Sequence, residues 1–71
     1  MTAQTEIDAA SKQTRAITEA VQSLERAEAQ FEFVEARYFE HEATAEALRA
    51  AYCEREAARR ALGAAHRGAA A

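Results

Sequence analysis

The side chains in this chain best equipped for chemistry are five glutamates around one histidine: Glu28, Glu32, Glu35, Glu40 and Glu42 with His41. Helical bundles that bind paired iron or manganese ions use an inward glutamate and a Glu-x-x-His step, which puts a carboxylate and an imidazole one turn apart. Here the residue three before His41 is Tyr38, so that step is missing. Glu28, Glu32 and Glu35 share one helical face, but it adjoins the apolar seam rather than filling it. The reading is a solvated acidic face, with His41 as a polar seam residue paired with a glutamate of a partner chain. Cys53 is the one thiol. A nucleophilic cysteine needs a base beside it. The near neighbours of Cys53 in sequence include Arg49, Glu54 and Glu56 but no histidine, so it reads as a small, half-buried residue. Cys53, His41 and His66 also lack the paired spacing of a zinc site. With no glycine-rich phosphate loop, nucleophile elbow or zinc-protease motif, the sequence predicts no enzyme, no catalytic residue, no metal site and no cofactor.

Arg49, Arg55, Arg59, Arg60 and Arg67 raise the question of nucleic acid. Five bases spread over nineteen residues, in a chain of net charge −3, are a weak footprint for a polyanion. The distribution of charge is more telling. Residues 1–46 hold ten acids and four bases, giving −6, whereas residues 47–71 hold two acids and five bases, giving +3. Parallel pairing of identical chains sets like charge beside like. Antiparallel pairing, within a hairpin or between molecules, sets acid beside base.

Seventy-one residues make one domain, 1–71, too small to bury much apolar surface without a disulfide, a metal or a partner. A lone cysteine forms no disulfide within the chain. That leaves docking or self-association, and one free thiol suits a reducing compartment. The first residues lack the basic-then-apolar pattern of a secretory signal, and no apolar run is long enough to cross a bilayer. The expectation is a cytoplasmic chain without membrane contact.

The positioning elements are helical. Between Thr5 and Gly63 there is neither proline nor glycine. Thr5 and Asp8 resemble a capping box, and Gly63 suits a left-handed terminator after Leu62. Ends 1–4 and 64–71 are expected to fray. Thr44 offers a capping hydroxyl, but Ala47 three places on completes no box. Every seventh residue from Ala10 reads Ala10, Ile17, Leu24, Phe31, Tyr38, Ala45, Tyr52. Three places after each come Gln13, Ala20, Ala27, Val34, His41, Leu48 and Arg55. This heptad seam keeps one register across the weak break points. It predicts an all-α chain: one long helix over about 5–62, ~90 Å long, packed as an antiparallel coiled coil or helical bundle. The alternative is a helical hairpin turning near 41–44.

Phe31, Phe33, Val34, Tyr38 and Phe39 crowd the centre. At about 100° per residue, Phe39 lies about 80° from Phe31 and Phe33 about 200° from it, so one two-helix seam does not cover them all. In a full-length antiparallel pair the two-fold axis falls between Phe33 and Val34. The predicted protein interface is Ile17, Leu24, Phe31, Phe33, Val34, Tyr38, Phe39, Leu48 and Tyr52. The function expected is a non-enzymatic helical interaction protein that self-associates as a structural or assembly subunit. A small adaptor, chaperone or inhibitor binding a larger protein through this aromatic-rich helix is the alternative, and a nucleic-acid-binding regulator is third.

Overall fold

The stretch without glycine or proline does not form one helix. In the computed structural model, helix α1 spans Thr2–Phe39 and helix α2 spans Ala45–Ala70, packed side by side. The chain is all-α, and the hairpin is the form it takes. Residues 2–70 are described, with side chains described for 11–68. The suggested Thr5–Asp8 box therefore falls outside the side chains described, as does Ala10 at the head of the seam. The backbone measures 60 × 15 × 12 Å, the shape of two helices one layer deep.

The reversal is built by backbone hydrogen bonds rather than by glycine or proline. The Glu42 amide donates to the Arg37 carbonyl at 2.8 Å, and the His41 amide donates to the Tyr38 carbonyl at 3.0 Å. This 6→1 and 5→2 pair is a Schellman cap, which satisfies carbonyls the helix end leaves without partners. The cap needs one residue in the left-handed region. His41 occupies it, with φ 63°. Glycine is the usual occupant, because any Cβ there crowds the backbone at a cost of about 1–2 kcal/mol. The apolar contact that commonly closes the motif is replaced by an ion pair between Arg37 and Glu42 at 3.9 Å. His41 is thus an exposed pivot of the turn, not a polar member of the seam.

Thr44 begins α2. Its Oγ1 accepts from the Ala47 amide at 3.0 Å, and its carbonyl accepts from the Leu48 amide at 3.1 Å. A cap of this kind requires only the hydroxyl. The reciprocal glutamate of a capping box is an addition, so its absence did not prevent a helix start here.

The α1 seam is the one the heptads describe. Ile17, Ala20, Leu24, Ala27 and Phe31 are half-buried and Val34 is buried. On α2 the inward set is Leu48, Ala51, Arg55, Ala58, Leu62 and Ala65, alternating three and four apart. Leu48 and Arg55 are in the expected register. Ala45 and Tyr52 are not: Ala51 takes the inward place, and Tyr52 stands at the flank, 48% exposed. The turn resets the heptad phase by three residues, so that Leu48 and Arg55 stay inward while Ala51 replaces Tyr52. Gln13 donates through Nε2 to the Gly68 carbonyl at 3.0 Å, which sets the far end of α2 beside Gln13. Val34 thus lies on the face packed against the chain's own α2, so the axis expected between Phe33 and Val34 of two long helices does not arise.

Gly63 does not end α2, which runs through it to Ala70. A Cβ at Gly63 meets only the Arg67 guanidinium tip, at 3.2 Å, which is flexible enough to yield. Gly63→Ala is therefore expected to stabilise the protein by about 1 kcal/mol through helix propensity, read as a higher midpoint in thermal unfolding.

Candidate protein interface

The nine residues expected to form an interface separate into two groups. Ile17, Leu24, Phe31, Val34 and Leu48 lie along the contact between α1 and α2. Phe33, Tyr38, Phe39 and Tyr52 point outward, 57%, 37%, 70% and 48% exposed. Among the described residues only Val34 and Ala51 are buried apolar side chains. The hairpin therefore spends its aliphatic residues on holding itself together and leaves four of its five aromatic rings exposed.

At the centre, Arg55 occupies an inward position that an aliphatic residue would normally fill. Its guanidinium carbon lies 4.2 Å from the Phe31 ring centroid and 5.1 Å from that of Tyr52. The two rings meet edge-on, 6.2 Å apart. Arginine suits such a place because its weakly hydrated, planar head stacks on aromatic faces while its stem packs among apolar groups. One terminal nitrogen lies 3.6 Å from Glu56, which also accepts from Arg59 at 3.0 Å. Glu56 thus pairs with both Arg55 and Arg59. The Arg55 Nε is buried without a hydrogen-bond partner, so the aromatic faces carry most of the compensation for its desolvation. Arg55→Lys keeps the charge but loses the planar stack, and Arg55→Ala loses stack and stem. The expected destabilisation is about 1 kcal/mol for lysine and about 2 kcal/mol for alanine, measured by chemical denaturation.

The Phe31–Tyr52 contact fixes how the two helices are turned toward each other. Phe39 and Glu35 follow Phe31 round α1 by about 80° and 40°, so they share the flank on which Tyr52 stands. Phe33 lies on the opposite flank, with the Arg37 guanidinium 5.4 Å above its ring. Tyr38 and Phe39 touch edge-on at 5.9 Å near the turn. The Tyr52 flank also carries charges without an intramolecular counter-ion among the described residues: Glu28, Glu32 and Glu35 on α1 and, about 60° beyond Tyr52, Arg49 on α2.

Cys53 is exposed rather than half-buried. Among the described residues no group of three or more histidine, cysteine or acidic side chains is placed to hold a metal ion. None of the helices described is long and apolar enough to cross a membrane. Sequence reasoning missed the inward role of Ala51 and the aromatic seat of Arg55. Alanine carries no orientation signal in an alanine-rich helix, but an arginine at a seam position three after a tyrosine was a legible hint. Comparison of the chain with family models, with curated proteins and with solved structures finds no match.

Proposed function

We propose that this chain is a non-enzymatic helical interaction protein that self-associates, two hairpins combining into a bundle that serves as a structural or assembly subunit. The observation that carries the reading is the mismatch between interior and surface. The chain exposes 5487 Å², whereas a compact monomer of its 7.8 kDa mass exposes about 4,400 Å². The excess, roughly 1,100 Å², is the size of one partner's share of a stable interface, about 800 Å². Four exposed aromatic rings against two buried apolar side chains among the described residues concentrate that excess on groups from which a partner gains most.

A second reading draws on Phe39, the most exposed of the four rings at 70%: an adaptor, chaperone or inhibitor that lends the aromatic end of α1 to a groove on a larger protein. A role in binding nucleic acid gains less support, since Arg55 and Arg59 are engaged with Glu56. The exposed thiol of Cys53 is consistent with a reducing, cytoplasmic setting.

Light scattering on the purified chain separates the readings. Self-association predicts a mass twice that of the chain. A species of 7.8 kDa at every concentration contradicts it, and recovery of a defined mass only together with another protein supports the adaptor instead.

A further inference from the structure

The hairpin also specifies how two copies would meet, an inference that rests on the self-association just proposed. The exposed rings are not equivalent. Phe33 already carries the Arg37 guanidinium over its face. Tyr52 holds the Arg55 guanidinium 5.1 Å from its ring centroid yet is still 48% exposed, and Phe39, 70% exposed, has no guanidinium over its ring among the described residues; the two stand on one shared flank, together with Glu28, Glu32, Glu35 and Arg49, whose charges lack intramolecular partners among the described residues. We infer that a second copy of this chain covers the Phe39–Tyr52 face, with both turns at the same end of the bundle and α1 of each hairpin against α2 of the other.

Symmetry allows two ways to bring this face against its own copy. A two-fold axis running along the helices stacks α1 on the second copy's α2 and keeps the turns together. An axis across the helices stacks α1 on α1 and α2 on α2, with the turns at opposite ends. Charge decides between them. Helix α1 holds seven acids and four bases, net −3, and α2 holds three acids and five bases, net +2. The crosswise axis opposes like charge along the full contact, whereas the lengthwise axis opposes acid to base.

Levels along the bundle agree. Phe31 is level with Tyr52 within the hairpin, so Glu35, one turn nearer the reversal, is level with Leu48 and its neighbour Arg49 near the start of α2. A lengthwise axis preserves levels, and it brings Glu35 of one copy beside Arg49 of the other. The Phe39 rings of both copies then gather at the turn end, and the two Tyr52 rings sit nearer mid-bundle. The face is thus closed by apolar rings in line with complementary charges rather than by a stripe of aliphatic residues.

The test uses the full chain with Cys53→Ser and a spin label on Glu40→Cys, beside the turn. Sedimentation first establishes the mass. A dimer whose labels lie within about 20 Å, two helix diameters, is the expected result. A dimer with labels about 40 Å apart, the length of the overlapping helices, overturns the orientation while leaving self-association intact. A sample that stays monomeric overturns both the orientation and the reading it rests on. The face is checked separately. Phe39→Glu with Tyr52→Glu is expected to weaken the dimer on the order of a hundredfold, and Phe33→Glu to leave it nearly unchanged. Both variants are followed by circular dichroism on linked tandem hairpins, so that loss of helix is told apart from loss of contact. Equal loss of the dimer in both variants, or loss in Phe33→Glu alone, overturns the choice of face.

Discussion

Val34→Asp is expected to abolish the folded state, leaving a far-ultraviolet circular dichroism spectrum of a largely unfolded chain. Val34 is 8% exposed and, with Ala51 at 4%, is one of two buried apolar residues among those described. An isolated carboxylate forced into such a position costs several kcal/mol or refuses burial altogether. A domain of this size has a net stability of at most about 3–5 kcal/mol, so the penalty consumes it. The matched control is Phe33→Asp. Phe33 is the preceding residue and the larger side chain, yet it is 57% exposed, so the carboxylate stays in water. That variant is expected to lose under about 1 kcal/mol. A reversed order of effects contradicts the assignment of the inward face. Val34→Ala provides the intermediate case, expected to cost about 2 kcal/mol from lost methyl groups and the cavity behind them.

The second large effect is expected at the reversal. The pair His41→Ala and Thr44→Ala is expected to convert hairpins into longer, straight helices that pair between molecules. Residues 40–44 include no glycine or proline, so nothing in their covalent structure forbids a helix. The hairpin is held there by His41 in the left-handed region, by the Thr44 hydroxyl on the Ala47 amide, and by the Arg37–Glu42 ion pair. Alanine at 44 removes a cap worth about 1 kcal/mol. Alanine at 41 gives up the modest tolerance of histidine for positive φ and gains helix propensity. Once α1 runs directly into α2, the seam can be satisfied only by another copy, which is a domain swap across a shortened hinge. Small-angle scattering is expected to show the longest dimension growing from near 60 Å to about 100 Å, with a gain in helicity. His41→Gly is expected to act oppositely, fixing the hairpin. A double variant that keeps the original dimension contradicts this view of the turn.

The weakness of that turn also explains what the sequence disclosed and what it concealed. The α1 seam was legible because Ile17, Leu24 and Phe31 are large and recur seven apart, with Val34 three after Phe31, among smaller or polar neighbours. The α2 face was not. Alanines at 47, 50, 51, 57, 58, 61, 64 and 65 make nearly every side of that helix apolar, so a register shifted by three residues reads almost as well as the true one. Leu48 and Arg55 stayed in place across the shift, which is why the heptads read as unbroken through the turn. The reversal itself was visible only as an alternative. Its left-handed residue is a histidine, which lacks the signature of glycine or asparagine, and its cap is a threonine without the reciprocating acid. The outward aromatics were legible as more surface than one seam can cover. Which of them the hairpin satisfies internally depended on contacts such as Arg37 over Phe33, which no spacing rule specifies.

The charge division was legible as well, and it has a physical consequence within the hairpin. An acidic α1 beside a basic α2 favours the antiparallel arrangement only through longer-range attraction, since none of the ion pairs among the described residues joins the two helices. Because such contributions are screened by salt, the aliphatic seam and the Arg55 cluster carry the fold, and charge chooses among ways of packing it.

The most direct measurement is the midpoint of thermal unfolding, followed by circular dichroism, as a function of protein concentration. If neighbouring copies supply the walls this hairpin lacks, folding and association are one equilibrium and the midpoint rises steadily with concentration. A sharp, cooperative transition at the same temperature for dilute and concentrated samples, with the phenylalanines shielded in a lone molecule, is the result that contradicts it.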